Sequence, residues 1–149
     1  MAQMFCTFHV GDLFLGIEVE KIQEVLRDAV VTSVPKAPSA IRGLINLRGQ
    51  IVTAVDLRTR FGLPSGDSGG NSTVLVLDGA DELLSLVVDR AGDVVEVEED
   101  RFEEPPDTLK SDSRRLIRGA YKLEHRLLLV LHADHAFNLD AGQKETGAG

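Results

Sequence analysis

His132 and His135 stand three residues apart with Asp134 between them, the arrangement in this 149-residue sequence that comes nearest to a metal site. On a helix the two imidazoles would share a face and could offer two nitrogens to a zinc-like ion. No third ligand of comparable quality is identifiable, so a small metal-dependent enzyme built on His132 and His135 is a minor alternative. His9 and His125 read as ordinary polar residues of a strand and a turn. The single cysteine, Cys6, rules out an internal disulfide framework and a cysteine-built zinc site. It lies in an apolar strand pattern and reads as a buried, inert thiol. Nucleophilic catalysis finds no support, because no Gly-x-Ser-x-Gly is present. Ser65-Gly-Asp-Ser-Gly-Gly70 lacks the Lys-Ser/Thr ending of a phosphate-binding loop. Asp78-Gly-Ala-Asp-Glu82 is too short for a calcium loop and fits a hairpin turn. No enzyme is read from these residues.

Charge narrows the partners. The formal net charge is −8, with eight acids against two arginines over 89–104 and six bases against two acids over 110–126. An acidic chain with 5% aromatics and no Trp repels a phosphate backbone and offers few rings for stacking on bases. Nucleic acid is therefore excluded, and with it an oligonucleotide-binding barrel. The acidic stretch reads as a solvated strand and loop. There is no long apolar run and no signal peptide pattern, so the expectation is an untargeted cytoplasmic protein without direct membrane insertion.

The elements that would position any site are mostly strands. Segments 5–10 and 13–19 flank Gly11-Asp12, and 43–47 and 50–55 flank Arg48-Gly49, two hairpin patterns. Further strands are expected over 25–34, 72–77, 82–88, 94–98, 116–123 and 126–131, about ten in all. Short helical pieces are expected over 18–25, 56–61 and 132–139, the second capped by Asp56 and stopped by Gly62. The Gly/Ser/Asp-rich stretch 64–71 reads as a linker. It divides a single domain, 5–139, into subdomains of about 5–63 and 72–139, with 140–149 as a flexible tail.

An internal repeat supports this division. A shift of 76 residues aligns Arg42-Gly43 with Arg118-Gly119, Leu47 with Leu123, Ile51-Val52 with Leu127-Leu128, Val55 with Leu131, Phe61 with Phe137 and Leu63 with Leu139. Ile17-Glu18 resembles Val88-Asp89 at a slightly different offset. Two copies of a roughly five-stranded unit explain this better than one ten-stranded sheet, and closing each into a small barrel removes exposed edges.

The run Ile41-Arg-Gly-Leu-Ile-Asn-Leu-Arg-Gly-Gln-Ile-Val52, followed by Val55-Asp-Leu-Arg58 and Phe61-Gly-Leu63, resembles the hallmark of the CheW family. Matching blocks also fall at Phe8 through Gly16-Ile17-Glu18, Lys21-Ile-Gln-Glu-Val25, Val87-Val-Asp89 and Arg126-Leu-Leu-Leu-Val-Leu131, so the likeness covers about 5–139. It implies an all-β fold of two five-stranded SH3-like barrels with short helices. It also implies a non-catalytic adaptor with no cofactor. The implied partners are the cytoplasmic tip of methyl-accepting chemoreceptors, the regulatory domain of a CheA-type histidine kinase, and other CheW-like domains in rings. The implied location is cytoplasmic, recruited to membrane-associated receptor arrays. An adaptor in a non-flagellar pathway, such as gliding or pilus motility, is the alternative within the same class.

The resemblance assigns residues as well. Arg48 is implied to pair with Glu24 at a receptor-binding surface, where Val19, Ile22 and Ala91 line an apolar groove. Val31 matches a position near the kinase contact. Ser85 stands where the family often has Gly, His132 where Asp or Asn is common, and Gly92 where many relatives carry something larger. Glu124-His125 replaces a more Gly-rich turn.

Overall fold

A computed structural model describes residues 1–64, 71–79 and 81–138. The strands, in chain order, are β1 (Ala2–Val10), β2 (Leu13–Glu18), β3 (Ile22–Ala29), β4 (Ile41–Leu47), β5 (Gln50–Asp56), β6 (Ser72–Asp78), β7 (Leu83–Val88), β8 (Arg90–Glu98), β9 (Ile117–Lys122) and β10 (Leu127–Leu131). Three short helices accompany them: α1 (Leu57–Arg60), α2 (Ser111–Leu116) and α3 (Ala133–Phe137). The all-β reading with few short helices holds.

The division of the chain between the sheets differs from the expected one. One five-stranded sheet has the order β8-β1-β2-β10-β9 and the other β3-β6-β7-β5-β4. Replacing each strand by the one five places away in sequence converts one order into the other. The repeat is therefore real, and each copy lends its first two strands to the sheet completed by the other. The stretch 64–71, of which 65–70 lie outside the described residues, leads from β5 to β6 within one sheet and is not the sheet boundary. The chain crosses between sheets at Glu18–Ile22 and again at Asp89. Sequence similarity reports which strands correspond, whereas pairing across the copies depends on long-range contacts that no local pattern encodes. Leu139 and the tail 140–149 also lie outside the described residues.

Each sheet curls until its outer strands nearly meet, and one bridge ties them. Thr32, beyond β3, exchanges two backbone hydrogen bonds of 2.8 Å with Leu44 of β4. Glu103, beyond β8, does the same with Ala120 of β9, at 2.8 and 2.9 Å. Beside these bridges stand Gly43 and Gly119, the glycines of the two Arg-Gly pairs. A Cβ on Gly43 would run into the Thr32 backbone, and one on Gly119 into the Phe102 ring and the Glu103 carbonyl. The repeated glycine is a point of close backbone approach.

Three apolar clusters fill the molecule. Ile45, Val52, Ala54, Val74 and Val76 occupy one barrel, and Phe5, Phe14, Tyr121, Leu128 and Val130 the other. A larger cluster, including Phe8, Leu15, Leu75, Leu86, Leu129 and Leu131, joins the two sheets. Along β6 and β10 successive side chains alternate between a barrel interior and this shared core. Both faces are covered, which explains the unbroken apolar runs of those strands. Ser85 is buried among them and donates to the Thr53 carbonyl at 2.7 Å, so the hydroxyl is accommodated where a glycine was expected.

Local expectations fared unevenly. Asp56 caps α1, accepting from the Arg58 amide at 3.0 Å. The helix expected over 18–25 shrinks to a single 3-10 turn, Val19–Lys21, because from Ile22 onward the backbone gains a ladder to β6. The strand expected over 25–34 ends at Ala29, with only Thr32 paired beyond it. Helix α2 was not foreseen; it lies in the basic segment without a side-chain cap. Cys6 is half-buried rather than buried, and burial pushes its thiol pKa up, away from reactivity.

Both crossings are held by a carboxylate. Glu18 is buried and its Oε2 takes Arg118 of β9 at 3.2 Å and Lys21 at 3.0 Å. Asp89 accepts Arg58 Nε and Nη2 at 2.7 and 2.8 Å and the Gly11 amide at 2.7 Å. Burial would raise the Asp89 pKa, but the Arg58 hydrogen bonds, the Gly11 amide and the charges of Arg58 and Arg90 outweigh it and hold the carboxyl below its ordinary value.

Two predictions follow from this frame. Gly43→Ala and Gly119→Ala should each destabilise by about 1–3 kcal/mol, read as a lower urea midpoint, because a closing bridge must shift to admit the methyl group. Asp89→Asn should lower the stability of the protein near neutral pH by about 1–2 kcal/mol. A carboxyl whose folded pKa is depressed contributes above its unfolded pKa and stops contributing as pH falls through the folded value. Urea titrations across acidic pH should thus show wild type and Asp89→Asn converging; a constant gap would refute the account.

Candidate functional site

The β4–β5 hairpin turns through Arg48 and Gly49, with φ of 52° and 88°. Leu47 pairs with Gln50 across this two-residue loop, and the Asn46 side-chain oxygen accepts the Gly49 amide at 2.8 Å. Two successive positive φ values match the twist of a tight hairpin. Glycine adopts them freely, whereas an arginine in the left-handed region costs about 1–2 kcal/mol. Arg48 therefore occupies a position where Asn or Gly would fold better. Its side chain is 72% exposed, yet its Nη2 lies 2.9 Å from Glu24 Oε1 on β3. Glu24 sits on one outer strand of the sheet and Arg48 on the turn that ends the other, β4, and the curl of the barrel brings them together. The expected pair is present. An exposed pair of this kind contributes under about 1 kcal/mol to stability, so it fixes the direction of Arg48 more than it holds the fold.

The other expected site residues surround β3. Val19, on the 3-10 turn, is 36% exposed. Ile22 is half-buried at the start of β3 and packs against the shared core. Ala91, on β8 opposite Phe8, is half-buried. It lines a concavity of about 420 Å³ together with Arg27 of β3. Arg27 also lines a second concavity of about 520 Å³, which reaches Ile45, Asn46 and Leu47 beside the Arg48 hairpin. β3 and β8 are the outer strands that adjoin. Of the expected residues Ala91 alone lines one of these two concavities; Val19, Ile22 and Glu24 lie on or just before β3, and Arg48 reaches β3 through Glu24. Gly92 lines the concavity of about 420 Å³, and a side chain there would meet the Thr7 hydroxyl. Val31 is half-buried against the core of the second barrel, the one built from β3-β6-β7-β5-β4, its Cγ1 beside Gly43. Its neighbour Val30 is the exposed one, at 68%. Arg27 was missed as a site candidate, because a lone arginine in a strand carries no spacing signal.

The histidine pair forms no metal centre. The His132 and His135 rings stack with centroids 3.7 Å apart and planes 3° from parallel. Imidazole lone pairs lie in the ring plane, so two parallel rings cannot converge on one ion about 2 Å from each nitrogen. His135 Nδ1 lies 2.8 Å from the Arg115 carbonyl. Among the described residues no group of three or more potential ligands could hold a metal. Burial first, then His135, pushes the His132 pKa down. His132 stands at the N-cap of α3, where the first copy has Asp56, and makes no capping bond. Arg42 pairs with Asp56 at 3.2 Å, whereas its counterpart Arg118 turns to Glu18. Restoring the acid by His132→Asp should cap α3, face Arg118 and stabilise the protein by about 1 kcal/mol, measured by urea or thermal unfolding. A lower midpoint would show that the ring stack outweighs the cap.

No helix among the described residues is long and apolar enough to cross a membrane. Comparison with known proteins agrees with this architecture over nearly the whole chain. The crystal structure of the scaffolding protein TtCheW from Thermoanaerobacter tengcongensis superposes with a TM-score of 0.81 at 25% identity, covering 93% of this chain and 94% of that one. The chemotaxis protein CheW of Helicobacter pylori is 28% identical over 136 residues, 91% of this chain and 82% of that protein. CheW of Bacillus subtilis is 29% identical over 136 residues, 91% and 87% of the two chains. The family model of the CheW-like domain matches residues 4–141, and the chain belongs to that family of non-catalytic chemotaxis adaptors.

Proposed function

We propose that this protein couples the cytoplasmic tip of a methyl-accepting chemoreceptor to the regulatory domain of a CheA-type histidine kinase. The receptor's helical hairpin docks along the groove bordered by Val19, Ile22, Glu24, Arg48 and Ala91. The kinase contacts the side of the second barrel that carries Val31 and the exposed Val30. The protein works in the cytoplasm, drawn to the membrane by the receptors, and further CheW-like domains extend the assembly into rings.

The observation that carries this reading is the Arg48–Glu24 pair. A guanidinium held at the tip of a hairpin, in a backbone conformation unfavourable to it and largely in solvent, does little for stability. Its placement makes sense if a partner completes the contact, since desolvation by a docked helix strengthens a charge-assisted bond. The apolar members beside it fit the recognition of an amphipathic helix in a groove.

Arg48→Glu should leave the unfolding midpoint nearly unchanged, because residue 48 is exposed. It should weaken binding of a soluble receptor hairpin fragment by at least about tenfold, a change of some 1.4 kcal/mol, and prevent co-assembly with kinase and receptor in size-exclusion chromatography. Reversing both charges, Arg48→Glu with Glu24→Arg, rebuilds the ion pair without restoring the positive tip and should remain defective. Normal ternary assembly by folded Arg48→Glu would overturn the site.

A further inference from the structure

Beside the concavity that reaches the Arg48 hairpin, and sharing Arg27 with it, lies a concentration of positive charge that the adaptor reading leaves unexplained. Arg27, Arg90 and Arg126 line the concavity of about 420 Å³ between β3 and β8, and Asp93 is the one carboxylate in its lining among the described residues. In a chain of net charge −8 such a cluster is unusual. No ion pair within 4 Å engages Arg27 or Arg90 among the described residues, although the charge of Arg90 acts on Asp89. Arg126 is fixed in place: its guanidinium carbon lies 3.6 Å from the centroid of the Phe14 ring, and its Nη1 is 3.4 Å from His9 Nε2. A guanidinium stacked on a ring keeps its N–H edge available for a carboxylate. Burial, then the charges of Arg90 and Arg126, lowers the His9 pKa against the opposing pull of Asp89. That shift favours the neutral imidazole. Gly92 keeps the floor open, since a side chain there would collide with the Thr7 hydroxyl, which donates to the Asp93 carbonyl at 2.6 Å.

We propose that this pocket receives an acidic side chain, Asp or Glu, from the helical partner segment in the groove, and that the resulting contact sets the register of docking. The proposal rests on the receptor reading, because Ala91 belongs both to that groove and to this pocket. An apolar side chain would strip water from the arginines and give nothing back. A carboxylate satisfies them with charge-assisted, two-pronged bonds. A free small anion in so open a site keeps much of its hydration, whereas a carboxylate carried by a docked helix arrives at high effective concentration. The net charge of −8 repels an acidic segment overall, so the local positive charge of the pocket favours one alignment of it.

The test uses the full chain and a soluble cytoplasmic hairpin fragment of a chemoreceptor from the same organism, with calorimetric titration at low and high salt. Wild-type affinity should fall as salt rises. The double variant Arg27→Glu/Arg90→Glu, with an unchanged unfolding midpoint, should bind about tenfold more weakly at low salt and lose most of that salt dependence. Arg101→Glu, an exposed reversal on a 3-10 turn beyond β8, should bind like wild type. Replacing the acidic residues of the hairpin by Lys one at a time should identify one that restores binding to the double variant. If Arg27→Glu/Arg90→Glu binds like wild type while Arg48→Glu does not, the pocket is refuted and the receptor reading stands. An equal loss in Arg101→Glu would also refute the pocket, reducing it to general charge attraction. If the wild-type protein fails to bind the hairpin, both readings fall together.

Discussion

A chain that builds two sheets by exchanging strands between two copies of one unit must cross from sheet to sheet twice, and each crossing interrupts the ladder hydrogen bonds that satisfy a buried backbone. Glu18 and Asp89 occupy these two points. Each is a carboxylate that collects donors from separate parts of the chain: Arg118 and Lys21, both on Oε2, for Glu18, and Arg58 and the Gly11 amide for Asp89. Asp89 binds the end of β7 both to α1 and to the β1–β2 turn, so a single side chain joins elements of the two sheets. The shared core of Phe8, Leu15, Leu75, Leu86, Leu129 and Leu131 supplies the larger stabilisation, about 25 cal/mol for each Å² of apolar surface removed from water. That core forms only if the crossings hold the sheets face to face.

Closure of each barrel depends in turn on that alignment. Thr32 and Glu103 lie beyond the ends of their strands, and each reaches its partner strand through a single two-bond bridge. So small a closure leaves little room for error, which is why the facing residue is glycine in both copies. Closure then has a consequence for the surface. It brings β3 within reach of the β4–β5 turn, and only then can Glu24 meet Arg48. The pair at the candidate site is thus a product of barrel curvature, itself set by Gly43 some distance away.

Much of this was legible in the sequence. Alternating apolar residues, the Gly11 and Gly49 turns and the capping Asp56 are local signals, and they placed ten strands and α1 close to where they lie. The repeat was legible too, because Arg42-Gly43 and Arg118-Gly119 answer the same packing requirement. The exchange of strands was not, since a repeat at fixed spacing is equally compatible with two separate barrels. Ile22 was read as helical because Val19, Ile22 and Val25 recur at three-residue steps; the ladder with β6 overrode that periodicity. The Arg48–Glu24 contact came from family resemblance alone, as nothing in residues 24 and 48 by themselves requires them to touch. Arg27 and Arg90 escaped notice because their meaning depends on which strands adjoin.

The two copies also show where the fold ends and function begins. Residues serving closure and packing recur: Gly43 with Gly119, Val55 with Leu131, Phe61 with Phe137. The hairpin tips do not. Glu124 and His125 stand where Arg48 and Gly49 do, both largely exposed, with Glu124 Oε1 3.8 Å from His125 Nε2, and neither takes a positive φ. When Glu18 is aligned with Asp89, Val95 falls where Glu24 does, so the second copy lacks both members of the pair. A hairpin of this fold evidently closes without a strained arginine and without a carboxylate across from it. The first copy keeps both, at a backbone cost of about 1–2 kcal/mol that exposed ion pairing recovers at most in part. The proposed receptor contact would give a physical reason for a feature that costs stability and is dispensable in its own structural twin.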